Sequence, residues 1–155
     1  MKKTLIVLLL LCSQIAKSQV TNSSIKNGTL KDEILKMDSL LFNIGFNQCD
    51  SLVYKNILSN NFEFYDDRSG LNASKQSDVN SLIEKCSRKD KLTRVLTNCT
   101  VDKLGDFGAV QLGEHYFVLN GVIVGAAKFI HVWERTSDGW KLKRVISYEH
   151  TSTHK

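Results

Sequence analysis

Four side chains suited to proton transfer and to binding a charged group lie in the last third of this 155-residue chain. His131 carries an imidazole, whose ordinary pKa of about 6.5 lets it act as a general acid or base near neutral pH. Glu114 could orient that imidazole or act as the base itself. Tyr148 could donate a hydrogen bond to a developing oxyanion, and Arg144 could hold a carboxylate or an enolate. These residue types favour isomerisation, hydration or cyclisation.

Further candidates would line an apolar pocket around the two proposed catalytic residues, His131 and Glu114. Aromatic side chains with a few convergent polar groups are the usual composition of a small-ligand site. A structural role for the same side chains stays open, because buried aromatic residues belong most often to a protein core. The predicted ligand-binding residues are Tyr116, Phe129, Trp133, Arg144, Tyr148, His115 and His150.

The Asn-Gly turn at residues 120–121 predicts which of these side chains share a face of the sheet. Both turn residues tolerate the positive φ angles of a type I′ hairpin. Counting back along the two strands that the turn joins places Glu114 and Tyr116 on the face of His131. A β-bulge would swap the faces beyond it. In that case His115 takes the place of Glu114 or Tyr116.

A second hairpin, which turns at residues 136–139, extends this face to the last strand. The same counting places Arg144 and Tyr148 beside His131. An acid, an imidazole and a guanidinium would therefore meet in one apolar hollow.

The cysteine and histidine residues have no spacing typical of a metal site or a redox site. The chain contains no CxxC pair, no Gly-rich phosphate loop and no nucleophile elbow, so we expect no cofactor and no metal ion. Beyond residue 18 the cysteines are Cys49, Cys86 and Cys99. Buried free thiols are the favoured interpretation. A disulfide between Cys86 and Cys99 is the alternative.

Three helices are predicted in the first half of the chain. The first begins at Thr29, which can cap it, and repeats apolar side chains every three or four residues as far as Ile44. Asp50 can cap a short second helix. Ser74 can cap a third helix that reaches Cys86.

Alternating apolar and polar residues predict strands in the remaining segments. Helices followed by a meander of strands indicate an α+β domain. We expect three N-terminal helices packed on a strongly curved antiparallel sheet. The predicted strands cover residues 62–65, 95–101, 109–119, 122–135 and 140–150.

This order of elements, with several short motifs, resembles the nuclear-transport-factor-two-like superfamily, the cystatin-like cone shared with ketosteroid isomerase and the SnoaL-like cyclases. Within it, residues 30–150 are most similar to the bacterial domain-of-unknown-function family 4440. The resemblance implies a homodimer with a pocket between the helices and the concave sheet face. The acid-base residues of ketosteroid isomerase find no matching motif here. The segments that carry the resemblance are Asp38–Phe42, Asp50–Leu58, Phe129–Trp133, Asp138–Trp140 and Ser147–His150.

The first residues have the pattern of a secretory signal. Lys2 and Lys3 precede an apolar run over residues 5–11, and Ala16 and Ser18 supply the small side chains that a signal peptidase reads. We expect cleavage after residue 18, a flexible arm over 19–28, one domain over 29–150 and a tail over 151–155. The predicted location is the periplasm or the outside of a bacterial cell. No run of about eighteen apolar residues occurs, so a stable membrane span is not expected.

Charge and composition leave three functional hypotheses. Removal of the signal lowers the formal net charge from +5 to about +2, and no basic stripe remains for binding nucleic acid. The leading hypothesis is an exported domain that binds a small apolar or carboxylate-bearing ligand in its cone. The alternative is a cofactor-free acid-base enzyme in the same pocket. A second alternative is a non-catalytic dimeric interaction protein with a filled cone, whose opposite sheet face, including Phe117, Ile130 and Val132, is buried between subunits.

Overall fold

The computed structural model describes residues 28–153. Its helices are α1 (Leu30–Ser39), α2 (Ser51–Ile57) and α3 (Lys75–Ser87), and a π-helical segment, Leu40–Asn47, continues directly from α1. The predicted signal and all but the last residue of the predicted arm lie outside the described residues. No helix within residues 28–153 is both long and apolar enough to cross a membrane.

Each helix begins at the capping residue that the sequence indicates. Thr29 and Asp32 form a reciprocal capping box at the start of α1. Asp50 accepts two backbone N–H bonds at the start of α2, and Ser74 accepts one at the start of α3. These side-chain oxygens satisfy N–H groups that have no partner inside the helix. The three predicted helix starts are confirmed.

The strands form one six-stranded sheet in the order β2-β1-β6-β5-β4-β3. The sheet is mixed rather than purely antiparallel, because β1 pairs with β6 in parallel. The helix α3 separates β1 and β2 from the later meander, so β1 can join the last strand in a direction that a tight hairpin forbids. The α+β class is confirmed. The strands are β1 (Leu58–Asp66), β2 (Gly70–Asn72), β3 (Leu92–Leu104), β4 (Gly108–Leu119), β5 (Val122–Thr136) and β6 (Gly139–Ser152).

Bulges in three long strands decide which side chains face the helices. At each bulge one residue has no partner in the neighbouring strand. Thr97 of β3 has no partner in β4, and neither does Val124 of β5. Lys143 of β6 has no partner in β5. One extra residue reverses the alternation of side chains beyond it. Faces assigned by uniform counting from the turns are therefore wrong past these positions.

The hydrophobic core lies between the helices and the concave face of the sheet. Ile34 and Leu41 from the helical side are almost completely buried, as are Trp133 and Leu142 from the sheet. Gly113 of β4 gives the neighbouring ring of Phe129 room, because a Cβ atom there would lie 2.7 Å from the Phe129 Cζ atom.

A disulfide joins Cys49, which follows the π-helical segment, to Cys86 near the end of α3. The favoured prediction of free thiols is wrong for these two residues, and so is the alternative pairing of Cys86 with Cys99, which is a free thiol. The short distance along the chain between Cys86 and Cys99 indicated the wrong pair. The bonded residues are 37 positions apart, but Lys85 lies 4.1 Å from the ring centre of Phe46, so the end of α3 packs on the π-helical segment.

Candidate functional site

A cavity of about 230 Å³ lies between the helices and the concave face of the sheet. An apolar space with a few convergent polar groups is the usual form of a small-molecule site. Its apolar lining consists of Leu41, Phe42, Phe46, Phe62, Phe64, Phe117, Leu142 and Val145. Its polar lining consists of Tyr54, Asp66, Arg68, Asp78, Arg94, His115, His131, Ser147 and His150.

The bulge at Val124 places His115, rather than Glu114, on the cavity side of β4. His115 pairs with Ala127 and is only 5% exposed, whereas Glu114 and Tyr116 are exposed on the outer face. The prediction that Glu114 and Tyr116 share a face with the cavity histidines is therefore wrong. The structure has the alternative arrangement, in which His115 takes their place.

The bulge at Lys143 moves Arg144 and Tyr148 to the outer face as well. Arg144 lies opposite Val132, and its guanidinium is 3.0 Å from the Glu63 carboxylate. The predicted placement of Arg144 and Tyr148 inside the cone is therefore wrong. The predicted site residues that do lie on the concave side are His115, Phe129, His131, Trp133 and His150.

Asp38 and Arg94 form a buried ion pair beside the cavity. Arg94 Nη1 donates to Asp38 Oδ2 at 2.7 Å, and neither side chain is more than 4% exposed. The ring centres of Phe42 and Phe129 lie 3.9 and 5.0 Å from the guanidinium carbon. Burial lowers the pKa of Arg94, and the Asp38 charge acts in the opposite direction. A charge this deeply buried requires such a partner.

Gln111 connects this ion pair to two residues of β5. Its Nε2 donates to Asp38 Oδ1 at 3.2 Å, and its Oε1 accepts from Trp133 Nε1 at 3.0 Å. The opposite amide orientation would set donor against donor and acceptor against acceptor, so these contacts fix it. His131 Nδ1, 3.2 Å from the same Oε1, must then carry the ring proton. The Nε2 atom of His131 is therefore a hydrogen-bond acceptor.

His131 is uncharged in this setting. Burial, followed by the charge of Arg94 and the neighbouring His115, brings the pKa of His131 well below its ordinary value. Its ring centre lies 4.1 Å from that of Phe129 and 5.6 Å from that of Phe42. A neutral imidazole with a low pKa accepts hydrogen bonds but is a weak base. The geometry thus favours a binding role over the predicted role of general base.

Arg94 and His115 each keep one donor nitrogen without an acceptor. Arg94 Nε donates to His115 Nδ1 at 3.1 Å, so the proton of this ring lies on Nε2. Burial, then the charge of Arg94 and then His150, lower the pKa of His115 to about 3. Within the part of the chain that the structure describes, His115 Nε2 and Arg94 Nη2 are buried and have no hydrogen-bond partner. Such unpaired donors are costly, and both belong to residues that line the cavity.

Ser147, His150 and Asp67 form a second chain of hydrogen bonds in the site. Ser147 Oγ lies 3.1 Å from His150 Nε2, and His150 Nδ1 lies within hydrogen-bond distance of Asp67 Oδ1. Because a carboxylate only accepts, Nδ1 carries the proton and Nε2 accepts from the Ser147 hydroxyl. Burial alone would raise the pKa of Asp67, but the hydrogen bonds from His150 bring it below its ordinary value.

Asp66, Asp67 and His150 have ligand atoms within 4.8 Å of one another, which is close enough to surround a cation. Their lone pairs are already engaged, since the Arg68 backbone N–H and guanidinium donate to Asp66 and the His150 ring binds Asp67. The guanidinium of Arg68 also repels a second positive charge. We therefore assign no metal ion to this group.

Tyr54 and Asp78 pair on the helical side of the cavity. The Tyr54 hydroxyl donates to Asp78 Oδ2 at 2.8 Å. Burial raises the pKa of both groups, and the Asp78 carboxylate raises the pKa of Tyr54 further. Tyr54 therefore keeps its proton and acts as a hydrogen-bond donor in the lining of the cavity.

Sequence reasoning missed Arg94 because its own strand, β3, contains a bulge, and it missed Gln111 because the neighbouring strand β5 contains one. The bulge at Thr97 puts Arg94 on the buried face, although its neighbour Val95 was expected there and is instead exposed. Gly125, next to the bulge at Val124, is a signal that could have been used, since a glycine inside a strand often marks a bulge.

No protein-family model matches this sequence, and neither does any curated protein. Solved structures do match. The chain is similar to an NTF2-like protein from Cytophaga hutchinsonii, with 15% identity, a TM-score of 0.64 and coverage of 76% of this chain and 95% of that chain. It is also similar to the hexachlorocyclohexane dehydrochlorinase LinA-type3 from Novosphingobium barchaimii, with 16% identity, a TM-score of 0.62 and coverage of 79% and 88%. A third similar structure is a protein from Catenulispora acidiphila in complex with S-DNPA, with 13% identity, a TM-score of 0.64 and coverage of 76% and 92%.

These similarities define the fold class. The chain has the cone of the nuclear-transport-factor-two-like proteins, which is also described as cystatin-like. The predicted resemblance to this superfamily is confirmed at the level of fold. The narrower resemblance to family 4440 stays a prediction. Because a shared fold does not determine function, the function has to be argued from the cavity.

Proposed function

We propose that this protein is an exported domain that binds a small, mainly apolar molecule through one hydrogen-bond-accepting oxygen. The observation that carries the proposal is the pair of unpartnered donors, Arg94 Nη2 and His115 Nε2, on residues that line an aromatic cavity. A ligand oxygen that accepts from His115 Nε2 would remove a penalty of about 1–3 kcal/mol for this unpaired donor.

The size of the cavity favours a molecule with a single ring. An apolar cavity of about 150 Å³ accepts benzene. The larger volume of about 230 Å³ leaves room for a ring with a short substituent. The aromatic side chains of Phe62, Phe64 and Phe117 would contact the apolar part of this ligand.

The charges around the donors favour a neutral oxygen. Arg94 is already paired with Asp38, and the lowered pKa values of His115 and His131 keep both rings neutral at neutral pH. A bound carboxylate would add a negative charge without a partner to this buried network, which is costly. A ketone, aldehyde or ester adds no charge, so we expect one of these groups rather than a carboxylate.

Isomerase-like proton transfer in the same cavity has less support. His131 and His115 are weak bases because their pKa values are lowered, and Glu114 lies on the outer face. The dehydrochlorinase among the similar structures supports only the idea that this cone can hold an enzyme. Ligand binding requires no basic group and is the simpler use of the site.

Export of the chain is supported by two independent features. The signal pattern of Lys2, Lys3 and the following apolar run is the first. The disulfide between Cys49 and Cys86 is the second, because disulfides persist mainly in oxidising compartments. Both agree with a periplasmic or extracellular protein.

Pairing of two copies through the outer sheet face is also part of the proposal. Four apolar side chains form one row across four adjacent strands, and three of them are at least 38% exposed. They are Tyr65, Ile146, Ile130 and Leu112. An exposed apolar row of this kind marks an interaction surface. Charges of both signs flank the row, for example in the pair of Arg144 and Glu63, which suits a self-complementary contact about a two-fold axis.

Binding of acetophenone and ethylbenzene, measured by isothermal titration calorimetry, tests the ligand proposal. The two molecules have nearly the same shape and differ in the carbonyl oxygen. We expect acetophenone to bind at least about tenfold more tightly than ethylbenzene, because its oxygen pairs the free His115 donor. Benzoate should bind more weakly than acetophenone. Equal affinities for acetophenone and ethylbenzene would contradict the proposal.

Two variants test whether the His115 donor, rather than the shape of the cavity, causes the preference for acetophenone. His115→Phe removes the Nε2 donor but keeps a ring beside Phe129, whose centre lies 5.3 Å away. It should reduce the preference for acetophenone to less than about threefold. Tyr116→Phe is the matched control, because it removes a hydroxyl from the adjacent outer-face position. This control should bind both compounds as the unaltered protein does.

A further inference from the structure

We propose that Ser147, His150 and Asp67 act as nucleophile, base and positioning carboxylate in the hydrolysis of a small apolar ester. We refer to these three residues as the serine triad. The inference rests on the proposed function in one respect, namely that the same cavity holds the ester. It adds a covalent activity that ligand binding alone does not require.

The hydrogen bonds of the serine triad have the order that a nucleophilic serine needs. The Ser147 hydroxyl donates to His150 Nε2 over 3.1 Å, and the protonated His150 Nδ1 faces the Asp67 carboxylate. A base within hydrogen-bond reach of a hydroxyl, itself oriented by a third group, is the signature of an activated nucleophile. Ser147 and His150 both line the cavity.

Backbone contacts lock the three residues together. The Asp67 backbone N–H donates to the Ser147 carbonyl oxygen at 3.1 Å, and the His150 backbone N–H donates to Asp67 Oδ2 at 3.3 Å. Asp67 thus holds His150 by both its backbone and its ring. Such support keeps a catalytic group in a fixed orientation.

A strained bulge in β6 brings Ser147 and His150 to the same side. Residues three apart on a regular strand point to opposite faces. Between the pairs Lys128–Tyr148 and Ala126–Thr151, β6 has one residue more than β5. Glu149 adopts a positive φ of 53° in this bulge, which is unfavourable for a residue other than glycine. Strain of this kind persists where the surrounding structure enforces it, and it concentrates at functional sites.

Two carboxylates lie beside the His150 ring that would take the Ser147 proton. The His150 side chain is 5% exposed, so nearby charges act with little screening by water. Asp67 contacts Nδ1, and Asp66 Oδ2 lies 3.7 Å from Nε2. Two carboxylates therefore face the ring when it takes the Ser147 proton.

The reaction then balances with water as the second reactant. Ser147 Oγ attacks the ester carbonyl carbon while His150 Nε2 takes the hydroxyl proton. The bond to the alkoxide breaks, the alkoxide leaves with that proton as an alcohol, and the acyl group stays on Ser147. Water, deprotonated by His150, then attacks the acyl group, releases the carboxylic acid and restores the hydroxyl.

The cavity restricts the substrate to a short ester with a compact apolar acyl group. Phenylalanine rings from β1 and β4 form its walls, and a volume of about 230 Å³ excludes long acyl chains. Asp67 is partly exposed, with 35% of its side-chain surface accessible, so the triad lies near solvent. The departing alcohol and the attacking water have a short path at this point.

Covalent labelling with an alkyl fluorophosphonate, read by intact and peptide mass spectrometry, tests this inference. Ser147 should displace fluoride and carry the phosphonate. Ser147→Ala should lose the label completely, and Ser137→Ala, at an exposed turn, should keep it. An unlabelled wild-type protein overturns the inference, and so does a label that persists in Ser147→Ala.

Variants of the other two residues test their roles. His150→Gln should slow labelling about 100-fold. Asp67→Asn should slow it about tenfold or more, and Asp67→Glu, which keeps the carboxylate, should recover part of the rate. Circular dichroism confirms folding of each variant. A labelling rate that is unchanged in a folded His150→Gln variant overturns the inference.

Acetophenone binding keeps this test separate from that of the proposed function. Wild-type protein that binds acetophenone but takes no label refutes the serine triad alone. Wild-type protein that is labelled at Ser147 but prefers ethylbenzene refutes the carbonyl-binding proposal alone.

Discussion

Arg94 and Asp38 are buried with opposite charges, so each is stable inside the protein only while the other is present. Asp38→Asn should therefore lower the free energy of unfolding by about 3 kcal/mol, because Arg94 would keep a buried charge without a partner. Urea unfolding measures this change. Glu84→Gln is the matched control, since its pair with Arg88 is exposed and should matter by less than about 0.5 kcal/mol. Equal effects of the two substitutions would show that the buried pair stabilises the protein no more than the exposed pair does.

Acidification should destabilise the protein through its buried histidines. In the unfolded chain a histidine takes a proton near its ordinary pKa of about 6.5, whereas the pKa of folded His115 is lowered to about 3. Between these values the unfolded state binds a proton that the folded state does not. The stability contribution is thus complete above about pH 6.5 and falls by about 1.4 kcal/mol per pH unit below it. The lowered pKa of His131 acts in the same direction.

The measurement is urea unfolding between pH 7.5 and 5, a range in which the Asp66 and Asp67 carboxylates stay charged because their pKa values are lowered. His115→Phe should have a smaller slope of unfolding free energy against pH, by about one proton. An unchanged slope in this variant would show that His115 is not buried as a neutral ring.

At the scale of the elements, the disulfide fixes the end of α3 to the segment that follows the π-helix. Replacing Cys49 and Cys86 together by alanine should lower the free energy of unfolding by about 2–4 kcal/mol, because the loop between them gains freedom in the unfolded chain. Cys99→Ala should cost about 1 kcal/mol or less and serves as the control. Unfolding in urea with and without a reductant gives both values. Titration with a thiol reagent under denaturing conditions should find Cys99 reactive and the other two protected.

The helices could be predicted from sequence because their signals are local. Thr29, Asp50 and Ser74 each satisfy backbone N–H groups within three residues, so no distant contact is needed to place them. Five of the six strands were also found, since alternation is local as well, but the short strand β2 was missed. The parallel pairing of β1 with β6 depends on contacts about eighty residues apart, for example Glu63 with Arg144, and no local pattern marks it.

The candidate site was harder to predict because a single bulge residue changes which side chains face the cavity. Val124 and Lys143 shift the pairing by one position each, and this exchanges Glu114 for His115 and removes Arg144. Such bulges are stabilised by the fit of the whole sheet rather than by their own sequence. His131 kept its predicted face because no bulge of β5 lies between it and the second hairpin.

For the whole molecule, the cone presents an aromatic cavity on one side of the sheet and an exposed apolar row on the other. Ile146→Asp should make the protein monomeric, because it puts a charge in the middle of the proposed contact between copies. Sedimentation velocity should show a dimer for the wild-type protein and a monomer for this variant. Leu52→Asp, on the exposed surface of α2, should leave the dimer intact. A wild-type protein that sediments as a monomer would contradict this part of the account.

The most direct test of the whole account is a crystal structure of the protein with acetophenone. We expect the ligand inside the cavity between the helices and the concave sheet face. Its carbonyl oxygen should lie about 2.7–3.2 Å from His115 Nε2, with the ring against Phe62 or Phe117. A ligand bound elsewhere would contradict the account. The same is true of a ligand in the cavity whose oxygen points away from this donor.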